Sequence, residues 1–237
     1  MTALLLMEPD AQPGDWNMAV DNWLLERALH DGLTAARLYR WREPTVSLGH
    51  FQKLDDPAIA DRFADLPRVR RLSGGGAILH DREITYSLAI PHAHPLAADP
   101  TGLYGIVHDH VIAVLAELGI AARMRGEALS GPEPFLCFGR GDPRDIVMGT
   151  HKILGSAQRR RRGAILQHGA LLLQRSPAAP EFPGIEELLG REINAADLVE
   201  RLAEAFQLLL GDATRTPRLA PLQEDEVRQL QAASEEG

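Results

Sequence analysis

Residues 70–81 read Arg-Arg-Leu-Ser-Gly-Gly-Gly-Ala-Ile-Leu-His-Asp, and the rest of the chain is organised around this stretch. Its three glycines lie between two predicted strands, residues 68–72 and 84–90. Glycine weakens a strand because it packs nothing and loses the most backbone entropy on folding. Three together indicate a loop that a ligand approaches closely, taking hydrogen bonds from backbone N–H groups. A flexible turn is the alternative, but the flanking arginines and histidine favour a binding site.

The composition is that of a globular protein that binds neither nucleic acid nor membrane. The 237 residues suit one domain, 1–237, with a helical tail from about residue 222. The formal net charge of −8 argues against nucleic acid as a partner. No run of about 18 apolar residues predicts a membrane span, and the N-terminal residues lack the features of a secretory signal. The single cysteine excludes disulfides within the chain and zinc sites built on several cysteines, and fits a reducing cytoplasm.

Helix and strand patterns follow one another in an order typical of α+β proteins. Apolar spacing predicts helices near residues 15–30, 57–65, 103–118 and 195–210. Strands are predicted at residues 1–7, 35–41, 45–48, 68–72, 84–90, 120–125, 146–148, 152–157 and 164–173. Residues 127–143 are rich in glycine and proline and predict a long loop. Short links between strands predict a mixed, largely antiparallel sheet with flanking helices.

Cys137 and Lys152 are the two candidates for reactive groups. A lone cysteine is usually a small buried hydrophobe, but a cysteine in a glycine- and proline-rich loop near basic residues can act as a thiolate nucleophile. Lys152 begins a predicted strand whose alternation places it on one face with Leu154 and Ser156. A polar cleft and a solvated face explain this pattern equally well. Gly155 indicates that another group approaches the strand closely.

Two further features carry basic groups. Residues 159–162 are four arginines, which are explained most simply by an exposed hairpin turn. The functional alternative is a docking patch for an acidic partner. His168 interrupts an apolar strand, as either a hydrogen-bonded structural histidine or a site residue.

Taken in order, these motifs resemble the lipoate-protein ligase A and octanoyltransferase branch of the biotin/lipoate ligase superfamily. The matching segments are 17–21 (Asn-Met-Ala-Val-Asp), 47–52 (Ser-Leu-Gly-His-Phe-Gln), 70–81, 85–87 (Thr-Tyr-Ser), 152–158 (Lys-Ile-Leu-Gly-Ser-Ala-Gln) and 166–169 (Leu-Gln-His-Gly). The resemblance implies a catalytic domain with a mixed sheet and a cleft for a medium-chain acyl group, which the glycine loop covers. The positions it implies for substrate binding are Arg71, Ser73, Gly74, Gly75, Gly76, His80, Tyr86, Gly155, Ser156, Gln158 and His168.

Cys137 separates the chemistries within this branch. One octanoyltransferase group has a catalytic cysteine in a Cys-Phe pair, at about the separation from the lysine motif that Cys137 has from Lys152. The resemblance therefore implies a transferase of protein lipoylation, with Lys152 near the acyl carbonyl and without cofactor or metal. Octanoyl would pass from acyl carrier protein to Cys137 and then to a lysine of a lipoyl carrier domain, such as the glycine-cleavage H protein or a dehydrogenase E2 subunit.

Three alternatives stay open, and one of them is a related enzyme that moves the acyl group between carrier proteins. Lipoate-protein ligases make an acyl-adenylate from lipoate with ATP and Mg²⁺, and they need no nucleophilic cysteine. A protein of the same fold could also bind an acyl group or a carrier protein without catalysis. The sequence favours the transferase because Cys137 stands where the transferase group has its cysteine.

Overall fold

The computed structural model describes residues 3–53, 56–130, 134–211 and 213–235. Its strands are β1 Ala3–Met7, β2 Ala35–Tyr39, β3 Thr45–Leu48, β4 Arg68–Arg70, β5 Ile78–His80, β6 Glu83–Ile90, β7 Arg123–Met124, β8 Ile146–Met148, β9 His151–Arg161, β10 Ala164–Leu172 and β11 Ala213–Thr216. Its α-helices are α1 Gly14–Asp31, α2 Pro57–Arg62, α3 Gly102–Glu117, α4 Ile185–Leu189, α5 Ala195–Leu210 and α6 Pro221–Glu235. Parts of three predicted segments, residues 1–2, 131–133 and 236–237, lie outside the described residues.

Two sheets form the framework. Eight strands are ordered β11-β1-β2-β6-β10-β9-β8-β7, and β4-β3-β5 form a smaller sheet. In the large sheet β1 runs parallel to β2 and β11, and all other neighbours are antiparallel. The predicted α+β class with a mixed, largely antiparallel sheet is therefore confirmed. The glycine loop (residues 73–76) joins β4 to β5 in the small sheet.

Helices cover both faces of the large sheet. The back face packs on α3 and α5, with Val107 and Phe206 fully buried. The front face packs on α1 and α6, with Val20 and Val227 fully buried. Burying each such side chain contributes roughly 1.5–3 kcal/mol to stability. Because helices cover both faces, the central strands β6 and β10 are buried at every residue.

The short elements depart from the sequence prediction. β5, α4 and β11 span three to five residues, too few for a periodic pattern to identify them. Strands β2 and β3 follow one another along the chain as predicted, but they belong to different sheets. The predicted strand at 120–125 shrinks to the two residues of β7.

The arginine run lies mostly in strand β9, which ends at Arg161. The turn itself is Arg162 and Gly163, whose φ angles of 48° and 87° are both left-handed. Positive φ at both central residues matches the right-handed twist of a two-residue β-hairpin. The predicted exposed hairpin turn is thus confirmed, but it begins three residues later than the run.

Among the described residues, every helix is too short or too polar to cross a bilayer.

Candidate active site

A narrow cavity of about 80 Å³ opens at the front face, where the two sheets meet helix α1. The residues around it are Met18, Tyr39, Trp41, Ser47, Arg71, Gly74, Gly75, Ile78, His80, Thr85, Cys137, Gly155, Ser156, Ala157, His168, Gly169 and Ala170. The apolar and aromatic members can accept a hydrocarbon chain, and the polar members gather near the glycine loop.

The glycine loop is held by the buried side chain of Arg71. Its Nη2 donates to the carbonyl oxygens of Gly74 at 2.8 Å and Gly76 at 2.7 Å. Gly75 has a φ of 96°, and a Cβ there would lie 3.1 Å from Arg71 Nη2. The loop therefore needs glycine for its own folding: its carbonyls turn inward to the guanidinium, and Gly74 and Gly75 border the cavity.

Gly76 has a different neighbour. A Cβ at this position would lie 2.6 Å from Arg140 Nε and 2.9 Å from the Phe135 carbonyl oxygen. Gly76 is thus packed against the Cys137 loop and does not border the cavity. The predicted substrate contact of Gly76 is not supported by this placement, because protein atoms occupy the space in front of its Cα.

Two buried histidines connect the loop to carboxylates. Asp21 Oδ2 lies 3.2 Å from His168 Nδ1, and His168 Nε2 lies 2.5 Å from Ser73 Oγ. In the tautomer that donates Nδ1–H to the Asp21 carboxylate and carries no second proton, Nε2 accepts from the Ser73 hydroxyl. Burial opposes ionisation of Asp21 most strongly, but the bond from His168 and the charge of Arg37 together hold its pKa below the ordinary value.

The second histidine repeats this arrangement. His80 Nδ1 lies 2.6 Å from Glu83 Oε1, and His80 Nε2 lies 2.7 Å from Ser47 Oγ. The ring also stacks on Trp41 with a centroid distance of 3.8 Å. Both serines accept from Arg71, Ser73 through Nε at 3.3 Å and Ser47 through Nη1 at 3.4 Å. With both ring nitrogens engaged in each case, the two histidines hold the glycine loop in place at the cavity wall.

Cys137 lies beside the glycine loop on a short 3₁₀ turn, Cys137–Gly139. Its N–H donates to the Ala77 carbonyl oxygen at 2.7 Å, which fixes the turn against the strand that follows the loop. The predicted irregular loop is confirmed over its described residues. The cysteine is half-buried and borders the cavity, so its thiol can meet a bound ligand.

Lys152 approaches this thiol from strand β9. Its Nζ lies 3.8 Å from Cys137 Sγ, 3.2 Å from the Cys137 carbonyl oxygen and 3.0 Å from Asp145 Oδ1. The side chains of Lys152 and Asp145 are only 4% and 5% exposed, so water screens the pair weakly. Burial raises the pKa of Asp145, and the Lys152 ammonium partly offsets this rise. The pair places a fixed ammonium group next to the one cysteine of the chain.

A bulge in β9 decides where Lys152 points. Val147 pairs with Lys152, but Ile146 pairs with Leu154, so β9 carries one extra residue. Beyond the bulge the alternation is shifted, and a Cβ on Gly155 would lie 2.5 Å from Lys152 Cε. The predicted shared face of Lys152, Leu154 and Ser156 is therefore wrong. The predicted close approach to Gly155 is confirmed, and the approaching group is Lys152 itself.

Three predicted substrate contacts have their polar groups on the back face. Tyr86 Oη lies 2.7 Å from Ser156 Oγ, and Gln158 Nε2 donates to the Pro100 carbonyl oxygen at 2.7 Å. Ser156 borders the cavity, but its hydroxyl bonds to Tyr86 and to His108. Direct binding through these three side chains is not supported, because strand alternation turns them toward α3 and α5.

Asp21, Asp145 and Trp41 were not among the predicted site residues. Asp21 carries a sequence signal, since an acid on the apolar stripe of a helix needs a buried partner. Asp145 and Trp41 carry none, because each becomes part of the site only through the pairing of distant segments.

The sequence profile of the lipoyl protein ligase A/B catalytic domain matches residues 13–179, and the chain belongs to this family.

Individual relatives agree with this assignment. The octanoyltransferase LipM of Kyrpidia tusciae is 31% identical, over 92% of this chain and 90% of the relative. The octanoyltransferase LipM of Moorella thermoacetica is 34% identical, over 81% of each chain. A putative lipoate protein ligase of Thermoplasma acidophilum has a similar structure, with a TM-score of 0.78 over 98% of this chain and 95% of its own. At 22% identity, that likeness describes the fold alone.

Proposed function

We propose that this chain is an octanoyltransferase of protein lipoylation that carries the octanoyl group on Cys137 as a thioester. The single observation that carries the proposal is the position of the Cys137 thiol, 3.8 Å from the Lys152 ammonium at the wall of the cavity. The names of the curated relatives support the same activity.

The first step exchanges one thioester for another. The Cys137 thiolate attacks the carbonyl carbon of an octanoyl thioester, forming a bond from carbon to Sγ and breaking the bond to the donor sulfur. The donor sulfur leaves as a thiolate and takes up the proton that Cys137 released. The exchange is nearly isoenergetic and needs no ATP or metal.

The second step makes an amide. The uncharged amine of an acceptor lysine attacks the octanoyl-Cys137 carbonyl, forming a C–N bond and breaking the bond to Sγ. The proton lost by the amine balances the one that restores the Cys137 thiol. Because an amide is more stable than a thioester, this step makes the overall transfer thermodynamically favourable.

Lys152 is assigned to electrostatic stabilisation in both steps. Its buried ammonium lies 3.8 Å from Sγ, and its N–H groups can turn to the acyl oxygen as negative charge develops there. Asp145 keeps the ammonium in place, because Oδ1 accepts from Nζ at 3.0 Å.

The partners remain those of the family resemblance. We propose octanoyl-acyl carrier protein as the donor and a lipoyl domain as the acceptor, such as the glycine-cleavage H protein or a dehydrogenase E2 subunit. The proposal places the reaction in the cytoplasm, since a reducing compartment keeps the Cys137 thiol free.

Intact-mass analysis tests this function. The protein is mixed with octanoyl-acyl carrier protein without ATP, and the mass of one octanoyl group is expected on Cys137, labile to hydroxylamine and lost on addition of an acceptor domain. A lipoate ligase would instead give no adduct and would release pyrophosphate from ATP with lipoate or octanoate. A non-catalytic binding protein would do neither.

The arginine hairpin, which contains the arginine run of residues 159–162, is expected to guide the acidic acyl carrier protein that donates the octanoyl group. Arg160 and Arg162 are exposed, whereas Arg161 is paired with Glu26 of α1. Changing Arg160→Glu and Arg162→Glu together should slow transfer at low ionic strength and flatten its salt dependence, because exposed charges act mainly on association. Initial rates over a series of salt concentrations give this result.

A matched control separates docking from net charge. The pair Arg191→Glu and Arg218→Glu makes the same charge change at exposed positions outside the hairpin. If the two double variants respond equally to salt, the hairpin has no part in docking and only net charge matters.

A further inference from the structure

The hydrogen bonds on the back face form one continuous chain. Gln158 Nε2 donates to Gln167 Oε1 at 2.7 Å, and Gln167 Nε2 donates to Tyr86 Oη at 3.1 Å. Tyr86 Oη lies 2.7 Å from Ser156 Oγ, which lies 2.6 Å from His108 Nε2. The chain crosses β9, β10 and β6 and ends on helix α3. It includes the three predicted site residues whose polar groups lie on the back face.

The contacts of His108, at one end of this series of hydrogen bonds, determine which atoms donate and which accept. His108 Nδ1 lies 2.6 Å from the Arg144 carbonyl oxygen, which can only accept, so Nδ1 carries a proton. Burial lowers the pKa of His108 to about 4, and the charge of Lys152 acts in the same direction. The Arg144 carbonyl and the charge of Asp142 oppose this shift. The ring is therefore neutral near pH 7, and Nε2 accepts from the Ser156 hydroxyl.

The chain of donors then has one order. Ser156 donates to His108, so its oxygen accepts from the Tyr86 hydroxyl, which in turn accepts from Gln167. His108 itself is 1% exposed and is seated among apolar core residues such as Val107 and Val111. A buried ring with both nitrogens engaged has one orientation, and it holds the Arg144 carbonyl in one place.

This carbonyl belongs to the peptide bond between Arg144 and Asp145. We propose that His108 is a positioning residue: by holding the Arg144 carbonyl it fixes Asp145, and through Asp145 it fixes the Lys152 ammonium beside Cys137. Ser156 and Tyr86 orient the His108 ring from behind the sheet. The consequence for acyl transfer rests on the proposed function, whereas the effect on the Cys137 environment does not.

Alkylation of the cysteine provides the test. Since the chain has one cysteine, iodoacetamide labelling followed by intact mass reports on Cys137 alone. Rates are compared at about pH 7 and about pH 9.5, because a free thiol ionises near pH 8.5 without help from a cation. The ratio of the two rates reports on the charge that stands beside Cys137 Sγ, and a control variant shows what a loss of stability alone does to it.

The expected effects are largest at His108 and decrease along the series of hydrogen bonds towards Tyr86. His108→Leu should lower the alkylation ratio about tenfold and octanoyl transfer about a hundredfold, since a displacement of about 1 Å has effects of this size. Ser156→Ala should lower transfer about tenfold, as is usual for an outer hydrogen-bond partner. Tyr86→Phe should stay within about threefold, because Ser156 still donates to His108. His108→Asn retains an amide donor for the Arg144 carbonyl and should recover most of the activity.

Val111→Ala is the matched control. Val111 lies on the same helix, is 1% exposed and makes no polar side-chain contact. The variant therefore loses stability without altering the hydrogen bonds from Gln158 to His108. The proposal is overturned if His108→Leu and Val111→Ala have the same alkylation ratio, or if His108→Asn is no better than His108→Leu. If His108→Leu does not fold, an unchanged ratio in Ser156→Ala overturns it. A wild-type protein that forms no octanoyl adduct would overturn the proposed function, while the alkylation ratio would still decide the role of His108.

Discussion

Cys137→Ser is expected to stop octanoyl transfer, with a loss of at least about a thousandfold. A serine hydroxyl is a far weaker nucleophile than a thiolate, and it needs a base to take its proton. Lys152 cannot be that base while its ammonium donates to Asp145 and to the Cys137 carbonyl. Transfer of radiolabelled octanoyl from acyl carrier protein to a lipoyl domain measures the loss.

The fold should survive this change, because the side chain is half-buried and the substitution is nearly isosteric. A control moves the thiol within the same loop by combining Cys137→Ser with Ser130→Cys, at an exposed position. We expect no recovery, since position 130 does not border the cavity. Transfer by Cys137→Ser at more than about a tenth of the wild-type rate would contradict the thioester mechanism.

Lys152→Met should slow formation of the octanoyl adduct by about a hundredfold to a thousandfold, the range for loss of one donor to a developing oxyanion. Methionine keeps the length of the side chain but removes the ammonium beside Sγ. Single-turnover formation of the adduct, followed by intact mass, measures the effect. A solvated lysine without a role would leave the rate unchanged.

The same substitution also leaves Asp145 buried without its partner. Breaking a buried ion pair costs about 3–5 kcal/mol. The pKa of Asp145 is already raised by burial and should rise further without Lys152. In the folded state Asp145 then binds a proton that the unfolded chain has released, so stability falls as pH rises above the ordinary value of 3.8. Urea unfolding at several pH values should show a steeper fall in Lys152→Met than in wild type.

The double variant Lys152→Met with Asp145→Asn separates stability from catalysis. A neutral amide is cheaper to bury than an unpaired carboxylate, so most of the stability should return. The rate should not return, because the ammonium is still missing. If activity and stability recover together, Lys152 serves the fold and not the chemistry.

Local sequence was sufficient for the elements that carry their own signal. Helices α1, α3 and α5 have apolar faces several turns long, and each was predicted within a residue or two of its ends. Strands β6 and β10 were recognised because they are long and apolar. The glycine loop was recognised because three glycines flanked by arginines and a histidine favour a binding loop over a flexible turn.

The face on which a side chain lies was less predictable. Strict alternation put Lys152 beside Ser156, but the bulge against β8 moved Lys152 to the front face and left Ser156 on the back. A bulge depends on how two strands pair, and no residue type in β9 predicts it from the sequence.

The amino-acid order alone determined the α+β class, the glycine loop and the loop that carries Cys137, since each follows from composition and spacing over neighbouring residues. Tertiary structure alone decided that Cys137 lies next to Lys152, that Asp145 pairs with Lys152, and that the polar groups of Tyr86, Ser156 and Gln158 lie on the back face of the large sheet. These contacts join residues up to 81 positions apart, such as Tyr86 and Gln167. They arise from strand pairing and the packing of α3, which local propensity does not encode.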